Sequence, residues 1–245
     1  CGKERVSSRI FGGQRVPDGK YPWMALLNLI LPNGETARCG GSLINDRYIL
    51  TAAHCLPHGL RQITVTLGIN KATEDRERRK VKFYTKHTMY NSKTTENDIA
   101  LVQLAEPVQF TPKIQPICLP PQDMLKFGPL VIAGWGSTNR NGSGVSQYLL
   151  EATIREYDFD ECNSEMGHQL NRNSQFCAGE VGKNSCSGDS GGPVMSYAHG
   201  RYHVVGLISY RLGKCGDSRK SVRTRVSYFL DWIKRNTPDA NYCRL

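Results

Sequence analysis

Three residues, His54, Asp98 and Ser190, are of the types that together make a serine hydroxyl reactive. His54 lies in the run Thr51–Cys55, and Ser190 lies between glycines in the run Gly188–Pro193. A serine hydroxyl is a weak nucleophile until a base removes its proton, and that base needs an acid to hold its tautomer. Any one of the three alone more often serves a turn or a local hydrogen bond. Their joint occurrence predicts nucleophilic catalysis by Ser190.

The elements that must position these residues are predicted to be short β-strands. Apolar or β-branched runs recur with turn residues between them, which is typical of an antiparallel barrel or sandwich. The candidate strands are Trp23–Leu31, Gly41–Leu50, Ile63–Leu67, Val81–Lys86, Ile99–Leu104, Leu130–Gly134, Gln147–Tyr157, Gly192–Tyr197, Tyr202–Ile208 and Val222–Val226. One helix is predicted from Tyr228 to Arg235, with Ser227 as its N-cap and basic residues at its C-terminal end.

With its blocks in the order His, Asp, Ser, the sequence resembles the chymotrypsin-like (trypsin-fold) serine proteases. The resemblance runs from about Arg9 to the C-terminus. It implies an all-β fold of two packed six-stranded antiparallel β-barrels with a C-terminal helix. The expected divisions are residues 1–9 as an activation-peptide or light-chain remnant and 10–245 as the protease domain, with barrels at about 10–115 and 120–226 and a helix at about 228–235. Trp23 and Trp135 are expected in the core.

The resemblance also implies roles for the residues of the three blocks. Ser190 attacks the scissile carbonyl, His54 takes its proton, and Asp98 orients and stabilises the imidazolium. The backbone N–H groups of Gly188 and Ser190 form the oxyanion hole. Nothing in the sequence calls for a cofactor or a metal.

A second implied mechanism is activation by cleavage between Arg9 and Ile10, before the run Ile10–Gly13. The new ammonium group of Ile10 would then pair with Asp189, which stands immediately before Ser190. An unpartnered buried charge costs roughly 3–5 kcal/mol, so this pairing would order the oxyanion loop. A basic surface loop at Arg9 is the alternative interpretation.

The residues at the implied specificity pocket depart from the tryptic pattern. Asn184 stands where trypsin-like members carry aspartate, Tyr210 and Arg211 replace Trp-Gly, and Ser221 and Arg223 stand in place of the usual glycine and tyrosine. Three hypotheses remain open for this pocket. It prefers an acidic or amide residue with Arg223 or Arg211 as counter-charge, it is blocked at its mouth by Arg211, or it has chymotryptic or mixed preference.

Nine cysteines indicate an oxidising compartment. The resemblance implies four disulfides, namely Cys1–Cys118, Cys39–Cys55, Cys162–Cys177 and Cys186–Cys215. Cys243 is left over, either for an intermolecular disulfide or as a free thiol. Asn141 begins an Asn-Gly-Ser sequon and is a candidate glycosylation site.

The net charge of +10 is unevenly distributed. The run Arg76–Lys82 suits a polyanion or an acidic protein partner, although a solvated loop surface explains it equally well. The acids Glu74, Asp75 and Glu77 are interleaved with cations, so no strong calcium dependence is expected. A second basic group comprises Arg211, Lys214, Arg219, Lys220, Arg223 and Arg225. No apolar run reaches the roughly 20 residues that span a bilayer.

These features predict a secreted serine endopeptidase, the C-terminal part of a longer zymogen. The sequence resembles the catalytic regions of clotting, complement-like and arthropod clip-domain cascade proteases. Its expected partners are a protein substrate, an upstream trypsin-like activating protease and a serpin-type inhibitor. One alternative is a catalytically weak or silent homologue that acts as a binding adaptor, because the pocket is obstructed and the surface strongly basic. Another is a heparin- or nucleic-acid-binding module.

Overall fold

The computed structural model of the protein describes residues 1–4, 14–74, 78–122, 124, 128–139, 141–167, 169–180, 182, 184–215 and 221–243. Several residues that the sequence singles out lie outside these ranges, namely Arg9, Ile10, Asp75, Arg76, Glu77, Arg219 and Lys220. Within the described ranges no helix is long and apolar enough to cross a membrane.

Strands dominate the described part of the chain. In order they are β1 Gln14–Arg15, β2 Met24–Ile30, β3 Thr36–Leu43, β4 Tyr48–Thr51, β5 Gln62–Leu67, β6 Arg79–Lys86, β7 Ala100–Leu104, β8 Leu130–Gly134, β9 Leu150–Glu156, β10 Gln175–Gly179, β11 Pro193–Ala198, β12 Arg201–Arg211 and β13 Ser221–Arg225. The α-helices are α1 Phe159–Glu165 and α2 Leu230–Arg235, and short 3₁₀ segments lie at Ala53–Cys55 and Val226–Phe229.

The strands form two antiparallel barrels, which confirms the predicted fold class. The first is closed in the order β2-β3-β4-β7-β6-β5. The second runs β9-β10-β13-β12-β11-β8 and is closed by pairing of β8 with β9, while β1 adds to the outer edge of β9. Each barrel therefore has six strands. Closure leaves few unpaired backbone groups at sheet edges.

Strands that lack an alternating pattern are those buried on both faces. Every residue of β4, β7 and β10 is buried. Trp23 and Trp135 lie in the main core at 0% and 2% exposure, as predicted. Continuous burial indicates that one face fills the barrel and the other packs against neighbouring elements.

The predicted strand Gly41–Leu50 is wrong, because the structure divides it between β3 and β4. Asn45 lies in the intervening turn, where its Oδ1 accepts hydrogen bonds from the backbone N–H groups of Arg47 and Tyr48 at 2.9 and 2.8 Å. This is an Asx turn, which the Asn-Asp pair signals. The apolar residues on either side concealed it.

The C-terminal helix begins later than predicted. Residues Val226–Phe229 form a 3₁₀ turn, and the α-helix starts at Leu230 with no side-chain cap. Ser227 is buried inside that turn, so the prediction of Ser227 as N-cap is wrong. Strand β10 and helix α1, which Asp158 caps through Glu161 N–H, were not predicted.

Four disulfides join the cysteines in the pairs that the resemblance implies: Cys1–Cys118, Cys39–Cys55, Cys162–Cys177 and Cys186–Cys215. Cys243 is a half-buried free cysteine near the C-terminus. The pairs Cys39–Cys55 and Cys186–Cys215 lie on either side of the site described next.

Candidate active site

The centre of the site is a buried carboxylate that binds a histidine twice. Asp98 is fully buried just before β7, and its Oδ2 lies 2.8 Å from His54 Nδ1. Its Oδ1 accepts the backbone N–H of His54 at 2.9 Å. His54 lies in the 3₁₀ segment after β4, which is paired with β7. Adjacent strands thus bring both residues together, and the carboxylate holds the proton on Nδ1, which leaves Nε2 as a base.

The second barrel completes the surroundings of Asp98. Ser209 on β12 donates its hydroxyl to Asp98 Oδ2 at 2.6 Å. Thr224 on β13 donates to the Asp98 backbone carbonyl at 2.9 Å. Neither contact could be predicted from the sequence, because a serine or threonine in a strand has no distinguishing pattern. These bonds fix Asp98 to the second barrel.

Competing effects set the pKa of His54. Burial lowers it by disfavouring the charged ring, whereas the hydrogen bond and the negative charge of Asp98 raise it. The net pKa of His54 is raised above its ordinary value. The arrangement therefore stabilises the imidazolium that forms when the ring accepts a proton.

Ser190 approaches the histidine from the second barrel. Its carbonyl oxygen accepts the N–H of Gly40 on β3 at 2.8 Å. Cys55 Sγ lies 3.5 Å from that oxygen and 4.0 Å from His54 Nε2. Gly40 packs so closely on Gly192 that a Cβ at Gly40 would lie 2.9 Å from the Gly192 Cα. The absence of a side chain at Gly40 lets the loop that carries Ser190 pack against the first barrel. The Ser190 carbonyl oxygen and His54 Nε2 therefore both lie within 4.0 Å of Cys55 Sγ.

The loop before Ser190 has a backbone that only glycine adopts readily. Gly188 has a φ of 97°, in the left-handed region. Its N–H and that of Ser190 are the donors expected of an oxyanion hole. This part of the sequence prediction stays a prediction of role, and the conformation at Gly188 is compatible with it.

Within the described residues, the carboxylate of Asp189 accepts hydrogen bonds from backbone N–H groups. Oδ1 accepts from Gly136 N–H at 2.7 Å and Oδ2 from Cys186 N–H at 2.9 Å. Burial raises the pKa of Asp189, while those two bonds and the charge of Arg223 act to lower it. A cavity of about 360 Å³ adjoins this carboxylate, lined in part by Asn184, Ile208 and Cys215. A cation entering this cavity would gain a buried partner.

At the predicted specificity pocket, Arg223 is a fully buried cation that contacts Asn184. Arg223 Nη2 donates to Asn184 Oδ1 at 2.7 Å, and Nη1 donates to Ser185 Oγ at 2.8 Å. Asn184 Nδ2 in turn donates to Ser221 Oγ at 2.6 Å. Four predicted or neighbouring residues therefore form one hydrogen-bonded group. Ser185 was not predicted to belong to it.

The remaining pocket residues, Tyr210 and Arg211, lie at the end of β12, where Arg211 pairs with Ser221 of β13. The Arg211 guanidinium donates to the carbonyl of Gly213 and lies 2.9 Å from Cys215 Sγ. It thus lies along the Cys186–Cys215 disulfide. Burial raises the pKa of Tyr210, and a hydrogen bond with Thr95 opposes that change.

A family model described as Trypsin matches residues 10–233. The chain belongs to the trypsin family. Among relatives, CLIP domain-containing serine protease B4 of Anopheles gambiae is 35% identical over 96% of this chain and 72% of that protein. Phenoloxidase-activating factor 3 of Holotrichia diomphalia is 35% identical over 93% and 72%, and Melanization protease 1 of Drosophila melanogaster is 36% identical over 96% and 67%.

The solved structures support the same assignment. One described as "Structure of GrC" superposes with a TM-score of 0.82 at 30% identity, covering 94% of this chain and all of that one. The chain is therefore a serine protease of the trypsin family. Its fold, its histidine–aspartate pair and its disulfides agree with that membership.

Other predicted sites of this trypsin-family protease lie on the surface. Arg78, Lys80 and Lys82 of the cationic run are exposed. Asn141 is exposed beside Gly142, whose φ of 72° marks a turn. Glycosylation there and an anionic partner at the run stay predictions.

The acid-containing loop before β6 uses Glu74 internally. Glu74 Oε1 accepts the backbone N–H groups of Asn70 and Lys71 at 2.9 and 2.8 Å. Among the described residues no cluster of three or more acidic, histidine or cysteine side chains could hold a metal ion. Weak calcium dependence stays a prediction, and the Glu74 contacts suggest how the loop closes without an ion.

Proposed function

We propose that the chain is the catalytic part of a secreted zymogen in an extracellular proteolytic cascade, activated by cleavage between Arg9 and Ile10. The named relatives are proteases and activating factors of phenoloxidase and melanization systems, which supports a cascade role. The observation that carries the proposal is the buried Asp98 that binds His54, with the backbone carbonyl of Ser190 in contact with Cys55, the residue after His54.

In the proposed reaction Ser190 Oγ attacks the scissile carbonyl while His54 Nε2 takes its proton. Asp98 keeps the imidazole oriented and stabilises its positive charge. The N–H groups of Gly188 and Ser190 receive the developing oxyanion, an effect for which one donor is worth about 100- to 1000-fold in rate. His54 then returns the proton to the leaving amine, and water releases the acyl group by the same steps in reverse order.

The proposed activation depends on the buried carboxylate of Asp189. Its carboxylate adjoins a cavity and has backbone N–H groups as hydrogen-bond donors. The Ile10 ammonium group released by cleavage would enter beside it and remove the penalty of a buried charge. Because Asp189 is covalently next to Ser190, this pairing would also fix the oxyanion loop. The required activator is a protease that cuts after arginine, as a trypsin-like enzyme does.

The proposed specificity is not tryptic. Asn184 offers no negative charge to a lysine or arginine side chain, and Arg223 lies beside it. Arg211 lies along the Cys186–Cys215 disulfide. In this proposal it narrows the entrance of the specificity pocket for a substrate side chain. The proposed partners are a protein substrate and a serpin-type inhibitor, whose reactive loop would occupy the same cleft.

Fluorophosphonate labelling tests this function, because the reagent reacts with an activated serine. We expect no labelling of the uncut protein, labelling after cleavage at Arg9–Ile10, and none in cut Ser190→Ala. A verified Ile10 terminus without labelling would contradict the proposal and favour the non-catalytic adaptor. Steeply salt-dependent heparin binding that survives Ser190→Ala would mark an additional polyanion site and would not replace proteolysis.

A further inference from the structure

We propose that the specificity pocket accepts an acidic side chain, recognised by the charge of Arg223 beneath its floor and by the donor face of the Asn184–Ser221 pair. This inference rests on the proposed function, because it assigns the substrate residue that precedes the scissile bond. It also selects one of the three hypotheses that the sequence leaves open.

The first step is the environment of Arg223, which lies at the centre of the second barrel. It pairs with Phe176 of β10 on one side and Ile208 of β12 on the other, and it is 0% exposed. Its guanidinium donates to Ser185 Oγ, to Asn184 Oδ1 and to the Ala178 carbonyl at 2.8, 2.7 and 3.2 Å. All three acceptors are neutral. Its Nε has no hydrogen-bond partner within the described ranges.

The second step is the charge balance. Burial lowers the pKa of Arg223 to about 10, so it is still cationic at neutral pH, and Asp189 is the acid that opposes this shift. In the proposed active form the Ile10 ammonium takes Asp189 as its partner. Two cations then share one carboxylate, which leaves an uncompensated positive charge under the pocket. A buried cation of this kind favours an anionic ligand.

The third step is the orientation of Asn184. Its Oδ1 accepts both Arg223 Nη2 and the Ser185 backbone N–H, the latter at 2.8 Å. Turning the amide over would place its NH₂ group against those two donors, so the orientation is fixed. Nδ2 therefore points to Ser221 Oγ, and Ser221, having accepted that bond, retains its own hydrogen as a donor. Asn184 is half-buried, whereas Arg223 and Ser221 behind it are fully buried.

The fourth step is the rim. Arg211 lies along the Cys186–Cys215 disulfide, with its guanidinium 2.9 Å from Cys215 Sγ. A cation at the base and another at the rim disfavour a lysine or arginine side chain. An aromatic side chain would leave the donors without acceptors.

Matched peptides test the proposal with the protein cut at Arg9–Ile10. Four substrates differ only in the residue before the scissile bond, which is Glu, Gln, Arg or Phe, and kcat/KM is measured for each. Glu and Gln have nearly the same shape, so their ratio isolates charge. We expect Glu to exceed Gln by at least about 10-fold and Arg by roughly 100-fold, because Gln lacks the negative charge and Arg carries the opposite one.

Asn184→Asp provides the decisive variant. It places a carboxylate on Arg223 Nη2 with almost no change in shape, so the protein should fold and the pocket charge should be cancelled. We expect the Glu-to-Gln ratio to fall to one or below. Lys234→Gln changes the net charge equally on an exposed residue of α2 and should leave the ratio unchanged. Arg223→Met should also abolish the preference, provided that it folds.

The outcomes separate this inference from the proposed function. If Ser190 is labelled by fluorophosphonate but Arg or Phe is preferred, or if Asn184→Asp keeps the Glu preference, the acidic pocket is wrong and the protease assignment stands. If labelling fails, fluorescence anisotropy measures how tightly each of the same four peptides binds to the cut Ser190→Ala protein. Tighter binding of the Glu peptide supports the inference, and equal or weaker binding overturns it.

Discussion

At the residue scale, Asp98 determines what His54 can do. Its carboxylate has no exposed surface, and it receives the ring Nδ1, the His54 backbone N–H and the Ser209 hydroxyl. Together these bonds hold the ring with Nε2 directed away from Asp98. The charge of Asp98 also counteracts the burial of His54, so its removal should change both the rate and its pH dependence.

We expect Asp98→Asn to lower kcat/KM of the activated protease about 10,000-fold, because the ring loses its tautomer and its counter-charge. The reaction needs neutral His54, so wild-type activity is lost as pH falls through a His54 pKa that Asp98 raises. Without Asp98 the burial effect dominates, and the midpoint of the pH–rate profile should move to lower pH. Residual activity is measured between pH 4 and 9, roughly the range around the ordinary histidine pKa.

Asp231→Asn is the control for this variant, because it removes an exposed carboxylate on α2 and should leave the profile unchanged. An unaltered midpoint in Asp98→Asn would contradict the view that Asp98 sets the pKa of His54.

The sequence could predict His54 and Asp98 because each stands in a recognisable block. It could not predict Ser209, since a serine in a strand becomes a ligand of Asp98 only through the pairing of the barrels. For Arg223 the sequence placed a cation near the pocket base. Its complete burial among neutral acceptors depends on three strands and a loop that are distant in sequence.

At the element scale, a buried ion pair ties β9 to the segment before β2. Lys20 Nζ lies 2.8 Å from both oxygens of Glu151, and the Tyr21 hydroxyl donates to the same carboxylate. Burial and the hydrogen bond to Glu151 raise the pKa of Tyr21, which keeps it a donor. Glu151 also pairs with Gln14 of β1. The cluster therefore fixes the strand that leads from the activation segment.

We expect Glu151→Gln to destabilise the protein by about 3 kcal/mol, because it removes the carboxylate charge that binds the buried Lys20 ammonium. For a chain of this size that corresponds to a melting temperature lowered by about 6–12 °C. Differential scanning calorimetry of the uncut protein measures the change.

Two further variants test whether the loss of the Glu151 charge causes this fall in melting temperature. Glu106→Gln alters an exposed glutamate and should change the melting temperature little. The double variant Lys20→Met/Glu151→Gln removes both charges and should recover much of the loss. If the double variant is no more stable than Glu151→Gln alone, the buried ammonium is not the cause.

The strand errors have a common physical origin. The sequence predicts Gly41–Leu50 as one strand, because apolar residues on both sides conceal the Asx turn at Asn45. Strand β10 was missed because all five of its residues are buried, so it shows no alternation of apolar and polar residues. Periodicity detects strands with one solvated face, and these elements have none.

At the scale of the whole molecule, the site exists only where the barrels meet. Asp98 and His54 belong to the first barrel, whereas Ser209, Thr224 and Ser190 come from the second. The sequence predicted this division through family resemblance, because pairing order between distant strands cannot be read from composition. The N-terminal segment depends on the same assembly, since residues 1 and 2 are bound by the second barrel and its connector.

Among the described residues 1–4, three hydrogen bonds besides the Cys1–Cys118 disulfide hold that segment. Gly2 N–H donates to the Pro116 carbonyl at 2.9 Å, the Gly2 carbonyl accepts from Tyr202 N–H at 2.7 Å, and Arg201 donates to the Cys1 carbonyl at 3.1 Å. Cleavage at Arg9–Ile10 breaks none of them. We therefore expect residues 1–9 to stay attached to the active protease.

Mass spectrometry of the cut protein checks this expectation. Without reduction the mass should equal that of the intact chain plus one water, and reduction should release the peptide of residues 1–9. Cys1→Ser/Cys118→Ser should lose the peptide on gel filtration, because three hydrogen bonds, each worth about 1 kcal/mol, cannot retain it at low concentration. Loss of the peptide from the unreduced wild type would show that the disulfide does not form. Retention would mean that the peptide of residues 1–9 stays bound through Cys118 after the cut, while the new Ile10 terminus is free of that tether.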